Sequence, residues 1–353
     1  MRALKMESGS MRLLAELPEV ACPPGEAIIA PTRVLLSPAD VAAAGIGSPP
    51  GESRPFEGVL GSQFVGIVRK INLPADAGPL LAARKTWVGK RVVGSPTLSC
   101  GSCDLCRHGL AIHCRARKVL GVFERDGCLA ESFAMPMLGL SQVSDAVSDD
   151  KAAFAHVLSS ALHAVNMLRG QHASFITVLG DGVLALLTAQ ALARMNKTVR
   201  VLSSRPQRQK LCEKWGIKHR ALEEPGRRQD QDVVVDCTGS SAGLRLALQL
   251  VRPRGIVLLK SPLGLAPFPP GRPLPEVGPG STWAAPVDLT PAIVNEVQIV
   301  GSRDGPIPDA LRMLAEDAID VLALIGRRFK LDEAPAAMRA AALPESLGVM
   351  IDL

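Results

Sequence analysis

Over the first 150 residues the apolar positions fall in short runs cut by glycine and proline. Ala27-Ile-Ile-Ala, Gly58-Val-Leu-Gly, Phe64-Val-Gly-Ile-Val and Arg91-Val-Val-Gly have strand length and β-branched content, and turn residues bound them. They predict a mostly β domain. From about residue 155 the texture changes to strands alternating with helices. Phe175–Leu179 reads as a buried strand that passes through a glycine turn into a helix over Val183–Met195. Strand Thr198–Leu202, helix Pro206–Trp215, strand Asp232–Asp236 and helix Ala242–Val251 follow, then strands Ile256–Leu259 and Val297–Val300. Such alternation predicts an α/β fold: a parallel sheet with helices on both faces. Between the last two strands, Pro262–Pro291 is a Pro/Gly-rich stretch longer than most connections, read here as a surface insertion rather than a lid. The remainder, to Leu353, holds one clear helix, Pro308–Glu316, and short strand-like pieces, and no internal repeat occurs.

Composition narrows the class. A chain of 353 residues, 47% hydrophobic, can bury two ordinary cores. Met1–Ser10 has no apolar stretch of signal-peptide length, and no uncharged run is long enough to span a bilayer. A soluble, cytoplasmic protein without a membrane partner is expected. The net charge of +6 raises nucleic acid as a partner, but the basic residues are dispersed, with short clusters at Arg205–Lys210 and Arg227-Arg228. With no tyrosine, eight phenylalanines and three tryptophans, stacking platforms are scarce. The expectation is therefore a solvated basic surface, no nucleic acid, and a small-molecule substrate.

Cys100, Cys103, Cys106 and Cys114 form the run Cys-Gly-Ser-Cys-Asp-Leu-Cys-x7-Cys. A tetrahedral zinc ion takes four soft ligands at about 2.3 Å, and glycine and short polar residues let the backbone turn between them. Unpaired loop thiols or a disulfide cluster are the alternatives. Four protein ligands leave no position for water or substrate, so this zinc would be structural. The other cysteines, Cys22, Cys128, Cys212 and Cys237, are scattered, which suits a reducing compartment.

Gly180-Asp-Gly182-Val183-Leu-Ala185 follows a strand and opens a helix, the context a dinucleotide fingerprint requires. Gly180 makes the turn, Gly182 lets the backbone approach a pyrophosphate, and Ala185 stands at the packing position. A Rossmann-like fold that binds no nucleotide is the alternative. Asp181 is a discordant note, since an acid beside a pyrophosphate repels it. At the end of the second strand, where NAD-binding folds carry Asp or Glu, the chain has Ser203-Ser204-Arg205. An arginine there suits a 2′-phosphate, so NADP(H) is expected over NAD(H). Arg205 also reads as the start of a solvated helix.

These segments, with Gly58-Val-Leu-Gly-Ser-Gln-Phe-Val-Gly66, Gly127-Cys-Leu-Ala-Glu131, Asp232-Val-Val-Val-Asp-Cys-Thr-Gly239, Val251-Arg-Pro-Arg-Gly255 and Gly301-Ser-Arg303, resemble the zinc-containing alcohol dehydrogenases of the medium-chain dehydrogenase/reductase family over essentially the whole chain. The resemblance implies a GroES-like catalytic domain over 1–154, with its zinc lobe at about 95–120, a Rossmann domain over 155–302, and a return to the catalytic domain over 303–353. It implies a homodimer or homotetramer, and it adds Arg303 to the cofactor-binding residues. Glu131, Asn295 and His163 are read as structural, and Gly348 stands where relatives often carry a Lys or Arg near the cofactor.

The departures fall at the family's catalytic zinc. Ser37 stands at the position of a cysteine ligand, Gly61-Ser62-Gln63 replaces Gly-His-Glu, His156-Val157 replaces Glu-Pro, and Ala39 replaces the hydroxyl that relays the proton. A hydroxyl and an amide are poor zinc ligands. No catalytic zinc is expected. The resulting expectation is an NADPH-dependent reductase of a small activated carbonyl, enone or quinone, with His156 or water as proton donor and Asp40 and Ser62 orienting it or the substrate. The alternative is a catalytically inactive dehydrogenase-like protein that binds nucleotide or a protein partner; a lone histidine in the apolar Ala152–Leu158 segment is also an ordinary structural residue.

Overall fold

Along Glu26–Leu35 buried and half-buried positions alternate for most of the strand, the period of an extended chain with one face in a core. Neighbouring strands share that pattern, and the computed structural model pairs them into a seven-stranded sheet. It describes residues 1–46, 56–171, 173–195, 197–226, 228–261 and 287–353. The Pro/Gly-rich stretch thus lies mostly outside the described residues. The chain forms two compact units. One takes Met1–His156 and Leu311–Leu353; the other takes the described residues from Val157 to Ala310.

In the first unit the order across the sheet is Leu140–Gln142, Arg91–Gly94, Phe64–Asn72, Glu26–Leu35, Gly348–Asp352 and Ile325–Lys330, with Phe133–Pro136 also on Glu26–Leu35. The last strand of the chain pairs antiparallel with one near its start, placing Met350 opposite Leu35. Both chain ends therefore build one sheet. Its core gathers Leu60, Leu129, Met135 and Met137, with Phe64 and Phe133 edge to face at 4.8 Å between ring centres. Two glycines fix one edge of this core. A Cβ on Gly121 or on Gly127 would lie 2.3 Å from the Gly61 carbonyl oxygen. Gly61 itself has φ +98°, so Gly61-Ser62-Gln63 is clamped in a conformation that favours glycine at its start.

The second unit is a parallel sheet. Its strands are β1 (Phe175–Leu179), β2 (Thr198–Ser203), β3 (Lys218–Ala221), β4 (Gln231–Asp236), β5 (Val251–Leu259) and β6 (Gln298–Gly301). They lie in the order β3-β2-β1-β4-β5-β6, all neighbours parallel. That is the Rossmann order, whose ligand site lies beyond the carboxyl ends of the strands where the order reverses. Helices α1 (Val183–Ala193), α2 (Pro206–Lys214) and α3 (Ser241–Leu250) connect the strands. Leu186, Leu187, Ala189 and Leu192 on α1 are buried, which suits a helix apolar all round. The sequence gives no apolar signal for β3, Lys-His-Arg-Ala. It forms as a polar edge strand held by its pairing with β2.

Candidate cofactor, metal and catalytic sites

The cysteine lobe closes through local turns. Gly101 and Gly109 take positive φ, Cys103 caps the one-turn helix Asp104–Arg107 that carries Cys106, and Cys114 ends a 3-10 turn. The four sulphurs lie within 4.8 Å of one another. Four of their separations are 3.4 Å (Cys103–Cys106), 3.5 Å (Cys100–Cys114), 3.8 Å (Cys103–Cys114) and 4.0 Å (Cys100–Cys106). Ligands at about 2.3 Å on a tetrahedron stand about 3.8 Å apart, whereas a disulfide needs about 2.05 Å. The donor set fits a zinc ion and not a disulfide. The backbone N–H groups of Cys103 and Cys100 donate to the sulphurs of Cys100 and Cys114, each at 3.4 Å. Donation from Ser102 draws the Cys100 thiol down to about 6, toward the thiolate a metal binds.

Ser37, Asp40 and Ser62 come together in the first unit. Ser37 caps the helix Pro38–Ala43, and its N–H and O–H donate to Asp40 Oδ2 at 2.8 and 2.7 Å. Ser62 Oγ lies 3.4 Å from Ser37 Oγ. Asp40 is fully buried, and its Oδ1 accepts no hydrogen bond from the described residues. Burial raises the Asp40 pKa above the usual carboxylate range, against the lowering pull of the Ser37 and Ser62 hydroxyls and of a charged His156. His156 is thus in electrostatic reach of Asp40, half-buried at the start of the helix Ala155–Met167. Gln63 is buried too, and its Oε1 accepts no hydrogen bond from the described residues. Cys128, which the sequence presents only as one of the scattered cysteines, lies beside this group. Its sulphur would stand 3.1 Å from a Cβ on Gly61, and burial, then the Asp40 charge, pushes its thiol well above the ordinary value. Among the described residues, the cysteine lobe is the only group of three or more Cys, His, Asp or Glu side chains close enough to hold an ion.

The nucleotide turn joins β1 to α1. Gly180 has φ +105°, and a Cβ added at Gly182 would meet nothing within 4 Å. Gly182 is the N-cap of α1 and supplies no side-chain acceptor, so the first N–H groups of the helix, from Val183 on, are available to an anion. Such a turn fits the pyrophosphate of a dinucleotide. Asp181 turns its carboxylate to the end of β2. It accepts from Ser203 Oγ at 2.8 Å, Ser204 N at 3.2 Å and Ser204 Oγ at 3.4 Å, and it pairs with Arg205 Nη1 at 2.5 Å. The discordant acid is thus neutralised in place. Arg303 follows β6; its guanidinium lies 3.7 Å from Asp304, and Ser160 Oγ donates to its carbonyl.

Lys260 escaped the sequence reading. It directly follows β5 and is buried, with Nζ donating to Arg303 O at 2.5 Å and Ser302 Oγ at 3.2 Å. Burial lowers its pKa from 10.5 to about 8, against the charges of Asp304 and Cys237. Between pH 8 and 10.5 the unfolded chain holds a proton there that the folded chain has lost, so stability rises with pH across that window. Denaturant unfolding at a series of pH values should show this rise, by at most about 3 kcal/mol, and Lys260→Met should flatten it. Equal slopes in the two proteins would place the titration elsewhere.

A GroES-like sheet built from both chain ends, a Rossmann unit with a dinucleotide turn and a four-cysteine lobe together define an alcohol dehydrogenase-like oxidoreductase of the zinc type. Comparison with known proteins agrees. The model of the alcohol dehydrogenase GroES-like domain matches residues 23–145. A zinc-type alcohol dehydrogenase-like protein of Haemophilus influenzae is 27% identical over 281 residues, 79% of this chain and 77% of its own. The L-idonate 5-dehydrogenase of Vitis vinifera is 28% identical over 77% of this chain and 72% of its own. Among solved structures, a protein assigned as a zinc-binding dehydrogenase from Sinorhizobium meliloti, bound to NADP, superposes with a TM-score of 0.79 at 25% identity, covering 100% of this chain and 99% of that one. The alcohol dehydrogenase of Thermus sp. ATN1, at 22% identity and a TM-score of 0.77 over 100% and 99% of the two chains, shares the fold. These matches support a member of the medium-chain, zinc-type alcohol dehydrogenase family.

Proposed function

We propose that this protein is a nicotinamide-dependent reductase with one structural zinc and no catalytic zinc, acting on a small activated carbonyl, enone or quinone. One observation carries the proposal: an intact glycine turn coexists with a buried polar nook whose side chains at the lost ligand positions are hydroxyls and an amide, Ser37, Ser62 and Gln63. Neutral oxygen donors hold zinc poorly beside thiolate and imidazole. A catalytic zinc stabilises a developing alkoxide by several kcal/mol, so its loss shifts the reaction toward substrates that spread the charge themselves. A conjugated enone or quinone does so. The bound dinucleotide would supply the hydride. Gly180, Gly182 and Val183 would seat its pyrophosphate, with Ser203, Ser204 and Arg205 at the adenosine end and Arg303 as a further contact.

Asp40 and His156 are the candidate proton carriers, with Ser62 and Ser37 as hydroxyl relays. Burial that raises Asp40 favours its protonated form, which can donate. The structural zinc belongs to Cys100, Cys103, Cys106 and Cys114. The expectation of NADP(H) rests on Arg205, and the carboxylate of Asp181 at the same corner weighs against it. A homodimer or homotetramer is favoured by β6, which ends the sheet, and by exposed Ile293, Val294 and Ile299 on and beside it. No helix among the described residues is long and apolar enough to cross a membrane. The reduced cysteines fit a cytoplasmic setting.

A second reading, a dehydrogenase-like protein without turnover, draws on Asp40, which is fully enclosed and engaged in a helix cap. Calorimetric titration with NADH and NADPH, followed by a panel of enones, quinones and aldehydes, separates the two. The reductase requires binding of at least one dinucleotide and its oxidation by a panel member. No binding at millimolar cofactor would sink it, and binding without oxidation across the panel would select the second reading.

A further inference from the structure

We propose that Asp181 sets the cofactor preference: its carboxylate occupies the corner where a 2′-phosphate would be read, and so selects NAD(H) over NADP(H). The inference rests on the dinucleotide-binding role proposed for the glycine turn. The donors at the end of β2 are the Ser203 hydroxyl, the Ser204 N–H and hydroxyl, and the Arg205 guanidinium. Together they are the set a phosphate ester would use. All of them point at one acceptor already in place. Asp181 is 8% exposed and bonded through both oxygens, Oδ2 to the serines and Oδ1 to Arg205.

Charge and hydrogen bonding then act in the same direction. A 2′-phosphate brought to this corner would face a buried carboxylate and an arginine whose charge is spent on it. Admitting the phosphate would mean expelling Asp181 from its donors, and each lost bond to a charged group carries a cost. An unphosphorylated ribose makes the opposite demand. Its hydroxyls are donors, and a carboxylate is the acceptor that fits them. NAD-binding folds usually place that carboxylate at the end of the second strand. Here Ser203-Ser204-Arg205 has none, and Asp181 supplies it from the glycine turn instead. Arg205 holds the carboxylate in position. Arg208, at the start of α2, lies within electrostatic reach of both. Removing the carboxylate would therefore leave a basic corner.

Calorimetric titration of the full chain with NADH and NADPH, and with the fragments 5′-AMP and 2′,5′-ADP, tests the proposal. The parent should bind NADH at least about tenfold more tightly than NADPH. Asp181→Asn, which keeps the shape and removes the charge, and Asp181→Ala should shift that ratio toward NADPH by about tenfold to a hundredfold. The fragment pair should move the same way. Adding Arg205→Ala to Asp181→Ala should cancel the NADPH gain. Circular dichroism of each variant confirms that the fold is kept, and Arg205→Ala alone, which frees Asp181 from its cation, should weaken NADH rather than NADPH. A parent that prefers NADPH, or a ratio that both Asp181 variants leave unchanged, overturns the proposal while leaving dinucleotide binding intact. Absence of binding by every dinucleotide to parent and variants alike overturns the cofactor role itself.

Discussion

Replacing Cys103 by serine is expected to empty the cysteine lobe of its ion and unfold residues 99–118 locally. Between Ser99 and Lys118, all of them described, only Cys114 is buried. The lobe therefore has almost no apolar core, and its backbone is held by one-turn helices that are marginal alone. Beside its turn hydrogen bonds and the exposed Arg115–Asp104 ion pair, the four sulphurs are what can fix it. A structural zinc contributes about 10–16 kcal/mol of binding free energy in small zinc-finger domains, and that energy is folding energy. Part of it is lost with one ligand. The melting temperature should fall by roughly 10 °C, on the scale of about 2–4 °C per kcal/mol for a unit of this size. Treatment with a strong chelator should lower it similarly, and re-addition of zinc should restore the parent but not the variant. Calorimetry with metal analysis reads both effects. An unchanged melting temperature after the metal has left would show that the lobe is held by something else.

The second large effect is a gain. Ser37→Cys, Ser62→His, Gln63→Glu and His156→Glu combined should bind one more zinc per chain than the parent. The nook is suited to accept it. Asp40 carries an oxygen with no donor among the described residues. An imidazole at position 62 would offer a ring N–H to such a carboxylate, the usual arrangement around a metal-bound histidine. The graft has a cost, since Ser37 caps its helix and losing the cap removes about 1 kcal/mol. Zinc binding far exceeds that. If the combined variant took up no extra zinc, the correspondence between these positions and the family's ligands would be wrong.

The features legible in the sequence were the local ones. The cysteine spacing lies within one lobe, so its chemistry shows in order along the chain. The glycine turn likewise follows from strand, turn and helix in succession. Strands β1, β2, β4 and the core of β5 announced themselves by β-branched runs. What escaped depends on partners distant in sequence. Lys218–Ala221 has no apolar signal and becomes a strand through its pairing with Arg200–Ser203. The pKa of Lys260 falls because tertiary burial removes its water, which no local pattern records. Asp181 was visible as a residue, but the direction of its carboxylate was not. It follows from the φ of +105° at Gly180 and from donors 22 to 24 residues further along the chain. The nook around Asp40 gathers Ser37, Ser62 and Cys128, and its orphaned oxygen emerges only once they are packed.

On the function proposed here, the cysteine lobe holds the chain's one zinc and the positions around Ser37, Ser62 and Gln63 hold none. Metal content per chain of the purified protein, by plasma mass spectrometry, tests it most directly. One zinc per chain is expected, removed by Cys103→Ser. Two zincs per chain, one of them retained in that variant, would contradict it.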